Sequence, residues 1–268
     1  MILHHSIRSL AALILLTAFG CAEKIDSFEE YLEVAWRYER AGEPQQAIAA
    51  YQQALALDPA QPIAWYDLGV LYEATGRTDL ALDAWNHAIT HNPGYPEALV
   101  NRGSVLARQG RKELALADYS KAIMAAPEDF AARRNRAHLH WELQNFPAAQ
   151  ADFAEALRIN PRDAETWFER GRLRLELNDW NRALVDFEQA AELDPANSIA
   201  WLNLAQVFTQ LGQIPEADAA FRHAVELDPK LAEQRPATLP PPPGEAAPAA
   251  DPVAATGFQR SSSSAPTP

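Results

Sequence analysis

Cysteine is almost missing from this chain: Cys21 is the only one in 268 residues. No intramolecular disulfide is available, and a chain able to bury a core of this size needs none. Basic residues are the scarcer charge, 23 against 36 acidic, for a net charge of −13. Phosphate binding draws on a basic face, so nucleic acid is not an expected partner. Apolar runs are short. The largely apolar stretch Leu10–Phe19 is about half the roughly 20 residues needed to span a bilayer. HExxH, the phosphate loop and GxSxG are all missing from the sequence, so neither catalysis nor a cofactor is expected. His87 and His91 stand at a metal-ligand spacing, but no third ligand is suggested near them. His91 fills a slot that is Leu57, Ile159, Leu193 and Leu227 elsewhere, which points to packing rather than metal. His140 likewise fills the slot of Tyr38 and Tyr72, and Phe146 and Trp180 share another packing position.

Proline, by contrast, is plentiful and ordered. Pro59, Pro93, Pro127, Pro161, Pro195 and Pro229 follow one another at 34-residue intervals. Before them stand Asp58, Asn92, Ala126, Asn160, Asp194 and Asp228, mostly short polar residues suited to a helix end that turns into the next helix. Three more series keep the same period. A small slot reads Ala47, Ala81, Ala115, Ala149, Ala183, Ala217. Four residues on, an aromatic slot reads Tyr51, Trp85, Tyr119, Phe153, Phe187, Phe221. A second small slot reads Ala54, Ala88, Ala122, Ala156, Ala190, Ala224. Alanines at i and i+7 with an aromatic at i+4 make one helical stripe, small where helices touch and large where a gap must be filled. One such helix pair cannot bury its apolar face alone, so neighbouring repeats must share stability. Between paired helices stand Gly42, Gly76, Gly110, Asn178 and Gly212, which tolerate a left-handed backbone. Gln144 occupies that slot in the fourth repeat and predicts a different turn there.

The period, the run Trp65-Tyr66-Asp67-Leu68-Gly69-Val70-Leu71-Tyr72 and the Ala81/Trp85 pair match the W-x2-L-G-x2-Y…A-x3-F…P pattern. The chain thus resembles the tetratricopeptide repeat (TPR) family over 28–231, as six repeats: 28–61, 62–95, 96–129, 130–163, 164–197 and 198–231. The resemblance implies an all-α, right-handed TPR superhelical solenoid of about twelve helices. Its concave face would be lined by the first helix of each repeat.

The ends differ from the array. One basic residue, Arg8, precedes the apolar stretch, and Gly20-Cys21 follows it, as in a secretory signal. Thr17-Ala18-Phe19-Gly20-Cys21 resembles a bacterial lipobox, with Ala18 where leucine is usual and Phe19 where a smaller residue is. On that resemblance 1–20 is a signal peptide and 21–27 an anchor and linker, with Cys21 the acylated first residue. Several acyl chains at about 0.8 kcal/mol per buried CH2 hold a protein on a membrane. Ala22, in place of an aspartate, implies the outer membrane, facing the periplasm. Ser27 and Glu30 read as a capping box that opens the first helix. Residues 232–268, rich in Pro, Ala and Ser, are expected to form a disordered tail, with Pro236 stopping any further helix. An array ended so abruptly predicts exposed apolar surface around Phe208, Phe221 and Leu227, open to a second copy of the chain, to its own tail or to a partner.

Charge is uneven along the array. Repeat one carries two basic and six acidic residues, whereas repeat four carries five basic and four acidic, with Arg133, Arg134 and Arg136 in one helix. Most of these charges read as solvated helix surface. On the TPR resemblance, the sixth position of each first helix faces the groove: Glu33, Asp67, Asn101, Asn135, Glu169 and Asn203. An asparagine amide both donates and accepts, so such a row suits an extended peptide backbone. Neighbouring groove positions hold Trp36, Tyr66, Val100, Arg134, His138, Trp141, Phe168 and Arg172, aromatics interleaved with arginines as anchoring surfaces use them. Arg134 and His138 at i, i+4 suit a carboxylate. The clamp by which some TPR proteins hold a terminal carboxylate needs a neutral residue where Glu169 stands, and is not expected.

The function these readings predict is a lipid-anchored scaffold that binds partner proteins or extended peptides at a bacterial envelope. Two kinds of TPR lipoprotein are similar: adaptors for peptidoglycan-processing enzymes, and pilotins that help a pilus or secretion pore assemble. A substrate-positioning part of an enzyme is the rival class.

Overall fold

The computed structural model describes residues 27–239. Cys21, the signal-like stretch and residues 240–268 lie outside them. Twelve α-helices and one 3-10 helix are present among the described residues, and no strand. The chain divides after Pro161 into two compact units. The first holds α1 (Phe28–Arg40), α2 (Pro44–Leu57), α3 (Pro62–Ala74), α4 (Thr78–His91), α5 (Pro96–Arg108), α6 (Lys112–Ala125), α7 (Phe130–Glu142) and α8 (Phe146–Ile159). The second holds α9 (Ala164–Glu176), α10 (Trp180–Leu193), α11 (Ser198–Gln210), α12 (Ile214–Leu227) and the 3-10 helix Pro229–Gln234.

Helices pack in consecutive pairs, and within each unit a pair packs on the next, so each unit is a stack of helical hairpins. Local chemistry sets the starts. Ser27 Oγ accepts from the Glu30 N–H while Glu30 Oε2 accepts from the Ser27 N–H, both at 3.2 Å. Pro62 and Pro96 stand at the first helical position, where no N–H is needed. Asp129, Asp163 and Asn197 cap α7, α9 and α11. The polar residues before the repeat prolines fold back on their own turns. Asp58 and Asp228 each accept a backbone N–H two residues on, at 3.0 Å.

Packing follows the aromatic slot. Tyr51, Trp85, Tyr119, Phe153, Phe187 and Phe221 are all buried. The matching slot on the first helix of each repeat holds only small residues, Ala35, Gly69, Gly103, Ala137, Gly171 and Ala205, and the ring lies directly against it at Gly69, Gly103 and Gly171. A Cβ built on Gly103 would lie 2.8 Å from Tyr119, and one on Gly171 2.9 Å from Phe187. The ring occupies the space a side chain would take.

Three repeats carry an ion pair where the others are apolar. Arg102 grips Asp118 through two hydrogen bonds of 2.8 and 2.6 Å, and Arg136 grips Asp152 at 2.7 and 2.8 Å. Arg170 grips Asp186 at 3.1 and 2.7 Å. The equivalent pairs elsewhere are Val34/Ala50, Leu68/Ala84 and Leu204/Ala220. Arg102 also donates to Asn86, and Arg136 to Ser120, each on the preceding repeat. The guanidinium therefore closes its own hairpin and ties it to its neighbour. Arg136, expected on the solvated surface, belongs to this buried set.

Two expectations are corrected. Gln144 adopts φ 59°, matching Asn178 at 58°, and its turn bonds as the glycine turns do. The flanking helices impose the left-handed residue whatever its side chain, at a cost of about 1–2 kcal/mol. Repeat six is also capped. Leu231 and Leu239 are 4% and 7% exposed, and Leu239 packs with Phe221 in the core of the second unit. Arg235 bonds Asp218 at 2.7 Å and lies 5.2 Å from the Phe221 ring centre. Phe208 is half-buried, and Leu227 keeps 39% exposure. Proline stops an α-helix here without preventing the 3-10 helix, which buries Leu231, and a separate turn closed by the Leu239 N–H on the Pro236 carbonyl buries Leu239.

Removing one partner of a buried pair leaves an unpaired charge. Asp152→Asn should therefore cost about 3 kcal/mol in urea unfolding of the full chain. Arg136→Leu with Asp152→Ala, which copies the pair of repeat two, should recover most of that loss. Equal losses for the two variants would show that the pair is not coupled.

Candidate functional site

The first helices of the first unit, α1, α3, α5 and α7, are tied together by side chains from the expected groove positions. Trp36 is 39% exposed and its indole N–H donates to Asp67 Oδ2 at 3.4 Å. Asn101 Nδ2 lies 3.5 Å from the Tyr66 hydroxyl. Asn135 Nδ2 donates to Ser104 Oγ at 3.3 Å, and the Tyr119 hydroxyl donates to the same oxygen at 3.2 Å. Val100 is buried and serves packing instead. Arg134 stands 5.8 Å from the Phe130 ring centre, and His138 lies against Trp141 and 3.5 Å from Glu142. A pocket of about 280 Å3 opens here, lined by Ser104, Arg108, Tyr119, Asn135, His138 and Glu142 among others. The structure thus brings Trp36, Tyr66, Asn101, Arg134, Asn135, His138 and Trp141 onto the face of one unit.

In the second unit, Phe168 meets Phe187 edge-on at 5.9 Å, and Arg172 stands 5.9 Å from the Phe168 ring centre. Asn203 is half-buried on α11. Here the aromatic is partly spent on packing, while the amide remains on the first-helix side.

A second pocket, of about 520 Å3, was not legible as a site in the sequence. Glu39, Gly42, Glu43, Pro44, Tyr66, Asp67, Val70 and Leu71 line it. The Tyr51 hydroxyl donates to Asp67 Oδ2 at 3.2 Å and interacts with Glu39, so it stands between two carboxyls. Burial holds the Asp67 carboxyl above its ordinary range; hydrogen bonds from Trp36 and Tyr51 oppose this only in part. Burial also raises Glu39, against a hydrogen bond with Tyr51 and with help from the Asp67 charge. Tyr95, 5.2 Å from Tyr66, is pushed up to about 12 by burial and the nearby carboxylates. Tyr95 sits in the N-cap slot, where short polar residues stand in other repeats, and that substitution was its only sequence signal.

The remaining histidines have structural surroundings. His87 stacks on Trp65 with ring centres 4.3 Å apart. Burial lowers the pKa of His140, keeping it neutral in the tyrosine slot. No group of three His, Cys, Asp or Glu among the described residues is placed to hold a metal. No helix among them is long and apolar enough to cross a membrane.

Stacked helix pairs of 34 residues, with an aromatic-on-glycine contact and a half-exposed face of first helices, define a helical-repeat interaction scaffold. Profiles described as tetratricopeptide repeat match residues 32–89, 76–130, 138–202 and 174–237. The chain belongs to the tetratricopeptide repeat family. Solved structures share the fold. The pilF protein of Pseudomonas aeruginosa is 19% identical with a TM-score of 0.67, covering 78% of this chain and 97% of that one. YrrB, described as a TPR protein with an unusual peptide-binding site, is 18% identical with a TM-score of 0.61, covering 69% and 98%. MamA of Desulfovibrio magneticus is 19% identical with a TM-score of 0.59, covering 64% and 97%. No protein among the curated ones matches this chain.

A carboxyl raised by burial favours folding below its unfolded pKa, and that contribution is lost as pH rises through the folded value. Asp67→Asn should therefore raise the melting temperature at neutral pH. The gain should close as pH falls to roughly 4, the unfolded carboxylate range. A gain that persists in acid would assign it to packing.

Proposed function

We propose that this chain is a lipid-anchored TPR scaffold that holds partner proteins, or extended segments of them, on its first-helix face at a bacterial envelope. The observation that supports the reading is the set Trp36, Tyr66, Asn101, Asn135, His138 and Trp141 on the first helices of the first unit, with Trp36 39% exposed. Half-exposed aromatics supply anchoring area, and the amides supply donors and acceptors for a peptide backbone. YrrB, described by its peptide-binding site, shares this fold and supports the same use of the surface. Asn203, Phe168 and Arg172 offer similar chemistry on the second unit.

The anchor rests on Cys21 after a short apolar run, and on Ala22 for the outer membrane. Two pathways fit such a scaffold: an adaptor for peptidoglycan-processing enzymes, or an assembly factor for a pilus or secretion pore. Cys21→Ser should abolish fatty-acid labelling and move the chain out of the membrane fraction. Equal membrane retention of variant and parent would remove the anchor from the reading. Affinity capture from an envelope extract should yield a partner that is lost from Trp36→Ala/Asn135→Ala. A cell-wall enzyme among the captured proteins supports the adaptor, and a pore or pilus subunit the assembly factor. Undiminished capture by that double variant would place binding elsewhere.

A further inference from the structure

Buried carboxylates in this protein have cationic partners almost everywhere. Asp118, Asp152 and Asp186 are each gripped by an arginine through two hydrogen bonds. In the pocket between α1, α2 and α3 the half-buried Glu39 and Asp67 have no such partner among the described residues. Asp67 accepts only from the neutral Trp36 and Tyr51, and neither it nor Glu39 forms an ion pair among the described residues. Arg40, next to Glu39 in sequence, turns its Nε to the Trp36 carbonyl. Both carboxyls are thus partly withdrawn from water without a cationic partner among the described residues, which costs stability unless something else pairs with them.

We propose that this pocket receives a basic side chain, a lysine ammonium or an arginine guanidinium, from an extended segment of a partner protein. The inference rests on the reading of the first-helix face as a peptide-binding surface, and names what that surface selects. Four observations converge. Glu39, Glu43 and Asp67 all line one open pocket of about 520 Å3, within the range of small-ligand sites. Tyr66 and Val70 form its apolar wall, on which a long aliphatic stem packs while its charged head reaches the acids. Trp36 and Tyr95 flank it, and aromatic faces attract a cation. Glu33 and Glu97, exposed on α1 and α5, give the surroundings the same sign, so a basic segment is complementary and an acidic one is repelled. An organic cation fits better than a metal ion, because no three ligating side chains converge among the described residues.

The probe is a short capped Gly/Ser/Ala peptide bearing a fluorophore and one central lysine, compared with versions carrying arginine, glutamine or glutamate there. Anisotropy is read on the full chain in detergent. Lysine and arginine peptides should bind at least about tenfold more tightly than the glutamine peptide. That preference should vanish in Glu39→Gln/Asp67→Asn and shrink in Glu39→Gln alone, a milder change should the double variant unfold. Glu113→Gln/Glu188→Gln removes the same charge from exposed helix positions and should leave the preference intact. Equal loss in both double variants would reduce the effect to net charge and overturn the pocket. Glutamine and lysine peptides bound equally well would also overturn it, leaving peptide binding by the face untouched. Binding of none of the peptides would overturn the pocket, while the scaffold reading is judged separately by envelope capture. A sedimentation shift that depends on Glu39 and Asp67 without any peptide would name a second copy as the occupant instead.

Discussion

The contact on which the structure depends is the seating of one aromatic ring per repeat on a glycine or alanine of its own first helix. Trp85 fills the space that any side chain at position 69 would need, and Tyr119 and Phe187 do the same at 103 and 171. Close approach of two backbones and burial of a large ring are thus achieved by one pairing. Its repetition also sets the spacing of the hairpins, since the flanking alanines admit the next helix without a gap. With so much of each second helix spent on packing, the first helices keep one face for other uses.

Charge is handled in two opposite ways on this frame. In repeats three to five, an arginine on the first helix neutralises an aspartate on the second, and repeats one, two and six dispense with both. The two solutions have similar energetic merit, because a buried ion pair offsets its own desolvation only when geometry is good. The arginines of repeats three and four add something the apolar pairs lack: a third hydrogen bond to the preceding hairpin. Between repeats one and two Glu39 and Asp67 have no such partner among the described residues, and the pocket they line is left for the proposed basic side chain.

The candidate surface is therefore not uniform. Its acidic, aromatic end lies on α1 and α3, whereas Asn135, Arg134 and His138 on α7 offer amide and cationic chemistry. Extended segments dock on such faces through backbone amides and are distinguished by side-chain pockets. An aromatic-flanked acidic pocket beside an amide row provides both kinds of contact within one unit.

By itself the sequence determined whatever repeats locally. The 34-residue period, the alanine and aromatic slots and the Ser27/Glu30 box specify helices, their caps and the faces they bury, because helical periodicity and capping depend on neighbours within a turn or two. The same helical spacing named the expected groove positions, of which Trp36, Tyr66, Asn101 and Asn135 make contacts between neighbouring first helices. Tertiary structure alone decided the features that join distant residues or override local preference. Arg102 and Asp118 are 16 residues apart on different helices, and nothing local marks them as partners until the hairpin closes. Glu39, Tyr51 and Asp67 converge from three helices. Gln144 takes a left-handed backbone because the helices on either side demand it. Leu231 and Leu239 close repeat six from either side of Pro236, which ends any α-helix there. In each case a side chain's meaning depends on which surface it meets, and that is set by packing rather than by order along the chain.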